Sequence, residues 1–386
     1  MAGPWGHLGL SDEQRALLDV VTRIADKDVA PYADERERTA AFPRELWKPL
    51  GEAGVFALPY PVEQDGAGQP YWVYLLAVET LARAHLAVGL GSSVQVLTLF
   101  PISVFGTDEQ RARLMPAPLS GSVIGSYCLS EPSSGSDAAA MLTKATPDGD
   151  SWVVSGTKAW VTHGGESDYY IVFARTGEDK ARGISCLFVP ADTPGVARAK
   201  LEHKMGMNAS PTAQVTFDDA RVSAENMLGA EGEGFRIAMG ALDGGRLGIA
   251  ACSVGLAQAA LDAAVDFARE REQFGKPVIS FEGISFMLAD MATQVEAARA
   301  LTLDAARRRD AGGDYAKHAA MAKLMAADTA MRVTTDAVQV HGGYGYVDEF
   351  PVERYMREAK VLQIVEGTQQ IQRLVIGRAL AKGTVT

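Results

Sequence analysis

The chain has 386 residues, of which 47% are hydrophobic and 22% are charged, and its formal net charge is −11. This composition is typical of a soluble globular protein, and the length predicts two or three domains. The acidic balance argues against nucleic acid as a partner, because proteins that bind duplexes strongly carry a basic surface.

Cysteine and histidine usage excludes several further classes of protein. Cys128, Cys186 and Cys252 lie far apart, and the histidines show no metal-ligand spacing, so we expect neither a disulfide framework nor a metal. The start, "MAGPWGHLGLSDEQ", lacks the basic and apolar regions of a signal peptide. No uninterrupted apolar run of about 18 residues is present, so we expect no membrane span and a cytoplasmic location.

Residues 1–120 are predicted to form an N-terminal helical domain. Ser11 is followed three residues later by Gln14, which is the pattern of a capping box at a helix start. Apolar residues then recur at helical spacing, and "YWVYLLAVETLARAHLA" predicts another helix.

Residues 121–228 are predicted to form a central antiparallel β domain. Short segments rich in β-branched and aromatic residues, such as "SWVVSG" and "DYYIVFART", alternate with turn signals such as "PDGD" and "THGGES". Residues 229–386 return to helices with short links, which predicts a C-terminal four-helix bundle. The fold class is therefore α+β, in the order helical, β, helical.

Two segments in the β region have the composition of a ligand site. The small, polar loop "YCLSEPSSGSDAAA" lets backbone N–H groups approach a ligand, and Ser130 and Ser136 add hydroxyls. Trp160 and Thr162 share one face of a predicted strand and could flank a flat heteroaromatic ring. The alternatives are an ordinary surface loop and a core tryptophan.

The C-terminal segment "IVEGTQQIQ" places a carboxylate between two predicted helices. Gly367 can end one helix, and Thr368 can cap the next. Glu366 then lies at a helix C-terminus beside Ile364 and Val365, and both features raise the pKa of its carboxyl group. A base tuned toward neutral pH suits removal of a carbon-bound proton. A solvated glutamate at a helix end is the alternative.

Taken together, these motifs resemble those of the acyl-CoA dehydrogenase family, of the short-, medium- or branched-chain type. "CLSEPSSGSDAAA" is similar to the first family signature, and "QVHGGYGYVDEFPVERYMRE" to the second. "LDGGRLGIA", "REQFGKP" and "VEGT" fall in the expected order, so the resemblance covers nearly the whole chain. The glycine-rich turn is not a Rossmann fingerprint, because no G-x-G-x-x-G follows a strand.

The resemblance implies a noncovalent FAD between the β domain and the bundle. It assigns the flavin contacts to Tyr127, Cys128, Leu129, Ser130, Ser136, Trp160, Val161 and Thr162. It assigns the pyrophosphate and adenosine of an FAD seated mainly in a neighbouring subunit to Arg271, Phe274, Gln339, Val340, Gly342 and Gly343. Thr368 and Gln370 complete the implied cofactor site.

The resemblance also implies the activity, α,β-dehydrogenation of an acyl-CoA thioester to the trans-2-enoyl-CoA. Glu366 would remove the α proton while a hydride leaves the β carbon, and electrons would pass to an electron-transfer flavoprotein. The implied assembly is a homotetramer, and Val365 departs from the tyrosine that many members have there. The implied contacts to acyl-CoA are Ser136, Asp243, Arg246 and Gly367.

Three other functions are compatible with the same motifs. A flavin oxidase or monooxygenase would keep the fold, and a dehydrogenase could run as an enoyl-CoA reductase with a reducing partner. A regulatory or nucleic-acid-binding relative with a vestigial flavin site is a third possibility. The retained Glu366 and the acidic net charge favour the dehydrogenase.

Overall fold

The structure, a computed structural model, describes residues 5–383. Residues 1–4 and 384–386 of the predicted terminal domains lie outside this range, as does the start of the segment inspected for a signal peptide. Within the described range, helices precede and follow a single large sheet.

The N-terminal part is helical, as predicted. The capping box at Ser11 is confirmed, because the Gln14 N–H donates to Ser11 Oγ at 3.2 Å and the Ser11 N–H donates to Gln14 Oε1 at 3.0 Å. Its helices are α1 (Asp12–Ile24), α2 (Ala33–Thr39), α3 (Trp47–Glu52), α4 (Tyr71–Ala84), α5 (Leu86–Phe105), α6 (Asp108–Leu114) and α7 (Pro116–Leu119).

The central part is an eight-stranded sheet of β1 (Gly125–Cys128), β2 (Lys144–Asp148), β3 (Ser151–Thr162), β4 (Tyr169–Arg175), β5 (Ile184–Pro190), β6 (Val196–Leu201), β7 (Thr212–Ser223) and β8 (Met227–Leu228). The strand order is β6-β7-β3-β2-β4-β5-β8, with β1 paired to β4. The predicted antiparallel sheet is correct for most pairs, but β1 runs parallel to β4 from Gly125 to Cys128, and β2 meets β4 in parallel at one position.

The C-terminal part is built on long helices. The elements are α8 (Gly234–Glu270), β9 (Glu272–Gln273), β10 (Lys276–Pro277), α9 (Glu282–Asp310), α10 (Ala316–His341), α11 (Val352–Leu362) and α12 (Gln369–Ala381). The 37-residue α8 is about 55 Å long at 1.5 Å per residue. It packs against α4, α5, α9 and α10.

The predicted domain boundaries fall in the connections where the element type changes. The first lies between α7, which ends at Leu119, and β1, which begins at Gly125. The second lies between β8, which ends at Leu228, and α8, which begins at Gly234. The division into 1–120, 121–228 and 229–386 remains a prediction.

Two helices, α5 and α8, are long and apolar enough to cross a membrane by length and composition alone. Most of each apolar segment is buried inside the protein, 83% for α5 and 78% for α8. Core helices of soluble proteins have the same character, because apolar side chains cover them on all sides. The expected absence of a membrane span therefore remains a prediction.

Glycine sets the distance at which α4 crosses α8. A Cβ built on Gly255 would lie 2.4 Å from the Glu79 carbonyl oxygen and 2.9 Å from the Arg83 nitrogen, both of which belong to the α4 backbone. Only glycine permits this approach, because the backbone of a packed helix cannot yield as a flexible side chain can.

Gly255→Ala is therefore expected to lower the free energy of unfolding by about 1–3 kcal/mol, the usual cost of overpacking a core. Gly377→Ala in α12 is the matched control, since its Cβ would meet no atom within 4 Å. It should be neutral or stabilise by up to about 1 kcal/mol through helix propensity. Denaturant titration of both variants checks this, and equal stabilities would contradict the close crossing.

Candidate active site

The turn that carries Glu366 joins α11 to α12 in an unusual backbone conformation. Gly367 has φ +93°, and Glu366 itself has φ +51°. The predicted cap is confirmed, because Thr368 Oγ1 accepts a hydrogen bond from the Ile371 N–H at 3.3 Å. A positive φ at a glutamate is uncommon and costs on the order of 1 kcal/mol or more, so the surrounding contacts must hold this turn in place.

The Glu366 side chain lies against α8 at Gly245. A Cβ built on Gly245 would fall 1.9 Å from Glu366 Oε2 and 3.2 Å from Leu97 Cδ1, so the glycine makes room for the carboxylate. The residue as a whole is partly accessible, whereas Oε2 is buried and has no hydrogen-bond partner among the described residues. This acceptor is therefore free to interact with a ligand.

Burial raises the pKa of Glu366 to about 7, and the positive charges of Lys323 and Arg246 oppose this increase. The predicted rise in pKa is thus present, but its leading cause is desolvation. The prediction that Gly367 ends the preceding helix is wrong, because α11 already ends at Leu362, four residues before the carboxylate.

The predicted substrate contacts Asp243 and Arg246 lie on α8 beside Gly245. Arg246 is buried and forms an ion pair with Asp243, while its Nε has no partner among the described residues. The carbonyl of Gly244 accepts a hydrogen bond from the Tyr71 hydroxyl at 3.0 Å. The unpartnered acceptor Glu366 Oε2 lies against Gly245, and the unpartnered donor Arg246 Nε belongs to the next residue along α8. Polar groups placed together in this way can bind a polar ligand.

A buried ion pair anchors the loop predicted to contact the flavin. Lys158 Nζ donates to Glu131 Oε1 at 2.8 Å and to the Leu129 carbonyl at 3.2 Å. The Glu131 carboxylate also accepts from the N–H groups of Leu142 (2.6 Å) and Thr143 (2.9 Å). Sequence reasoning missed this pair, although a lysine inside an apolar strand is a usable signal because buried lysines need a partner.

The structure exposes Trp160 and so excludes the alternative of a core tryptophan. Its residue exposure is 65%, and its φ of +61° lies at an irregularity of β3 between Lys158 and Val161. The bulge, rather than the regular alternation used for the sequence prediction, turns the indole outward. Thr162 is half-buried two residues later.

The other predicted flavin contacts differ in what they can offer. The side chains of Cys128 and Val161 belong to the core of the sheet, so these two residues can present only backbone to a ligand. The Tyr127 ring packs on Phe173 at 5.0 Å, and Ser136 is exposed. Leu129 is buried, and Ser130 is half-buried and accepts a backbone hydrogen bond through its carbonyl.

The residues predicted for the pyrophosphate and adenosine line a different cavity, of about 630 Å³. Phe274 is 94% exposed, and the Arg271 guanidinium lies over the Tyr344 ring at 5.4 Å. Of the predicted residues, Arg271, Phe274, Val340, Gly342 and Gly343 line this cavity, whereas Gln339 does not. Sequence reasoning missed further lining side chains, namely Phe267, Phe281, Ile284, His341 and Tyr344.

This second cavity is far from Glu366 within one chain. Gly245 contacts Glu366, and Arg271 follows the last residue of the same helix, so 26 residues separate them along α8. At 1.5 Å per residue this is about 39 Å. The predicted cofactor residues therefore form two groups, and Thr368 and Gln370 lie with Glu366 in the first of them.

The residues of both groups fit a flavin dinucleotide. An exposed indole and a hydroxyl-bearing loop suit a flat ring system, while aromatic walls and an arginine suit adenine and phosphate. Cβ atoms built on Gly342 and Gly343 would meet no atom within 4 Å, so backbone is open to a ligand there.

One buried cluster bears on the prediction that no metal is bound. Glu37, His85 and Glu358 bring three possible ligand atoms within 4.8 Å of one another. Arg354 contacts Glu358, and Arg357 contacts Glu37, so two cations already balance the two carboxylates. The absence of a metal remains a prediction.

Comparison with known proteins agrees with this site. Residues 11–122, 126–220 and 232–381 match the N-terminal, middle and C-terminal domains of acyl-CoA dehydrogenases. An acyl-CoA dehydrogenase of Bacillus subtilis (strain 168) is 44% identical over 377 residues, which cover 97% of this chain and 100% of that relative. The chain therefore belongs to the acyl-CoA dehydrogenase family.

Two solved structures share the whole fold. Butyryl-CoA dehydrogenase from Megasphaera elsdenii superposes with a TM-score of 0.94 at 42% identity, covering 97% of this chain and 99% of that one. A structure described as the electron transferring flavoprotein of Acidaminococcus fermentans contains a chain with a TM-score of 0.94 at 44% identity, covering 96% and 98%. The predicted family, fold class, FAD dependence and acyl-CoA dehydrogenase activity are confirmed; the roles of single residues remain predictions.

The buried carboxylate makes stability depend on pH. Below about pH 4.5 Glu366 is protonated in both the folded and the unfolded chain, so it adds no difference. Between that pH and its folded pKa of about 7, the folded state keeps a proton that the unfolded chain releases, and stability falls as pH rises. Glu366→Gln should therefore be more stable than wild type by up to about 3 kcal/mol at pH 8.

Unfolding of both proteins from pH 4.5 to 8 measures this difference. Glu63→Gln, which changes an exposed glutamate, serves as the control and should follow the wild-type curve. Parallel curves for wild type and Glu366→Gln would show that the carboxylate is not desolvated.

Proposed function

We propose that this chain oxidises the Cα–Cβ bond of short-chain acyl-CoA thioesters, with Glu366 as the base. The observation that carries the proposal is the buried, unpartnered Oε2 of Glu366, whose carboxyl has a pKa of about 7. A base of this pKa is ionised in part at neutral pH and basic enough to take a proton from carbon.

The turn around Glu366 offers a second catalytic element. The Glu366 N–H donates no hydrogen bond within the described residues, whereas the carbonyls of Glu366 and Gly367 both accept one from Gln372. A free N–H next to the base can donate to the thioester oxygen, where negative charge develops as the α proton leaves. Holding base and donor on one turn fixes their relative position.

FAD, when bound, supplies the acceptor for the hydride that leaves the β carbon. The chain would hold it with the loop that begins at Tyr127, with Trp160 and with Thr368, and with the Arg271 cavity of a second copy. Burial around Glu366 excludes water and keeps its carboxylate reactive toward carbon.

The cavity beside Glu366 supports a short acyl group. Phe100 and Leu97 from α5 close it, together with Tyr60 and Tyr71. The similarity to butyryl-CoA dehydrogenase from Megasphaera elsdenii points to the same substrate size.

The two-part cofactor site supports a homo-oligomer, and we propose a homotetramer. Because the two groups of residues lie about 39 Å apart along α8, one FAD would be shared between copies of the chain. The similarity to a chain in the Acidaminococcus fermentans electron transferring flavoprotein structure supports such a flavoprotein as electron acceptor. Three free, buried cysteines suit the proposed cytoplasmic location.

Glu366→Gln should keep FAD but lower the rate of flavin reduction by butyryl-CoA by about 10³-fold or more, the upper range for a general base. Anaerobic stopped-flow bleaching of the flavin measures this rate, and Glu63→Gln is the control. Wild-type bleaching by Glu366→Gln would overturn the assignment. Rapid oxygen uptake by the reduced wild-type enzyme would instead indicate an oxidase, and reoxidation by enoyl-CoA would indicate a reductase.

Phe100 limits the length of the acyl chain in this proposal. Phe100→Ala should raise the rate with octanoyl-CoA relative to butyryl-CoA by about tenfold or more, because each added methylene gains about 0.8 kcal/mol once space exists for it. Val104→Ala, at an exposed position of the same helix outside the cavity lining, should leave the ratio unchanged. An unchanged ratio in Phe100→Ala would contradict the cavity as the acyl site.

A further inference from the structure

Lys323 on α10 is a fully buried lysine that reaches the turn of the catalytic base. Its residue exposure is 0%, and its Nζ donates to the Gly367 carbonyl at 2.9 Å and to Gln369 Oε1 at 3.3 Å. Both acceptors are neutral. Burying an ammonium group is costly unless its charge and protons are compensated, so a lysine at this place requires a reason.

Side-chain hydrogen bonds hold the two backbone carbonyls of the Glu366–Gly367 turn. The Gly367 carbonyl accepts a second hydrogen bond from Gln372 Nε2 at 2.8 Å, and the Glu366 carbonyl accepts from the same Nε2 at 3.2 Å. Gln369 is itself held by Asp328 Oδ1 at 2.8 Å. Two consecutive positive φ angles persist only where such contacts over-determine the backbone. With both carbonyls fixed, the Glu366 side chain is directed to Gly245.

We propose that Lys323 is a positioning residue for the base. It holds the Glu366–Gly367 turn through its hydrogen bond to the Gly367 carbonyl, and it places a positive charge near the Glu366 carboxylate. The proposal rests on the proposed function of Glu366 as the base. Under this proposal, a residue of the C-terminal helices helps to set the pH at which the enzyme works.

The charges around Glu366 agree with this role. Lys323 is the cation that most opposes the raised pKa of Glu366, ahead of Arg246, whose own charge is shared with Asp243. Burial in turn lowers the pKa of Lys323 to about 8, and Glu366 and then Asp328 oppose that change. Burial raises the pKa values of the remaining groups coupled to Glu366, so they stay neutral near pH 7: Tyr71 on α4, Tyr127 on β1 and Cys252 on α8.

Lys323→Met removes both the hydrogen bond to the Gly367 carbonyl and the positive charge. We expect flavin reduction by saturating butyryl-CoA at pH 7 to fall about tenfold or more. We also expect the midpoint of the pH–rate profile to rise by about one pH unit, because a carboxylate that loses a nearby cation ionises only at higher pH. Anaerobic stopped-flow measurements from pH 5.5 to 9 give both quantities.

Two further variants distinguish the effect of the hydrogen bonds to the turn from the effect of the positive charge. Gln372→Met removes the other hydrogen bonds to the turn but no charge, so the rate should fall while the midpoint stays at the wild-type pH. Lys323→Arg keeps a cation and should keep the wild-type midpoint. Lys48→Met, which removes an exposed lysine on α3, is the control and should change neither quantity.

A second measurement needs neither FAD nor substrate. The pH range over which Glu366 destabilises the fold, read from the difference between a protein and its Glu366→Gln partner, should extend to higher pH in the Lys323→Met background. An unchanged range together with an unchanged midpoint overturns the proposal. If Lys323→Met does not fold, a raised midpoint in Lys323→Arg or an unchanged rate in Gln372→Met overturns it instead.

The outcomes also distinguish this proposal from the assignment of the base. Full activity of Glu366→Gln would contradict the proposed function, in which Glu366 is the base. Wild-type kinetics of Lys323→Met, beside an inactive Glu366→Gln, would leave the function intact and remove only the role of Lys323.

Discussion

A single desolvated carboxylate, Glu366 packed against Gly245, is the constraint on which the rest of the site depends. Burial raises its pKa to about 7, so the protein loses stability at neutral pH by keeping this carboxylate there. The left-handed backbone at Glu366 adds to that cost. Both costs are tolerable only because a large apolar core and a dense set of hydrogen bonds fix the turn from outside.

The long helix α8 organises these contacts, and its glycines decide what approaches it. Gly245 admits the base, and Gly255 admits the backbone of α4. A Cβ on Gly248 would lie 2.1 Å from Ser93 Oγ, so this glycine admits α5. The helix therefore contacts both the N-terminal helices and the Glu366–Gly367 turn. Arg271, which follows its last residue, lines the cavity predicted to hold the second part of the cofactor.

Two fully buried lysines make similar contacts to backbone carbonyls. Lys158 donates to the Leu129 carbonyl in the loop predicted to contact the flavin, and Lys323 donates to the Gly367 carbonyl in the Glu366–Gly367 turn. They differ in compensation. Lys158 is paired with the Glu131 carboxylate, whereas the hydrogen bonds of Lys323 go to neutral oxygens. The charge of Lys323 is therefore not neutralised by a hydrogen-bonded carboxylate, so it can act on Glu366. Both lysines are buried, and the difference between them comes from their neighbours in the fold.

Local signals in the sequence determined much of this protein. The capping box at Ser11 and the Thr368 cap follow from short-range chemistry, and the ordered motifs indicated the family and FAD and predict Glu366 as the base. Tertiary structure alone decided the rest. The parallel pairing of β1, the bulge that exposes Trp160 and the distance between the cofactor groups depend on which strands and helices meet. Lys323 is 43 positions from Glu366 in the chain. Their coupling exists only because α10 packs against α12, since burial and electrostatic contact are properties of neighbours in space.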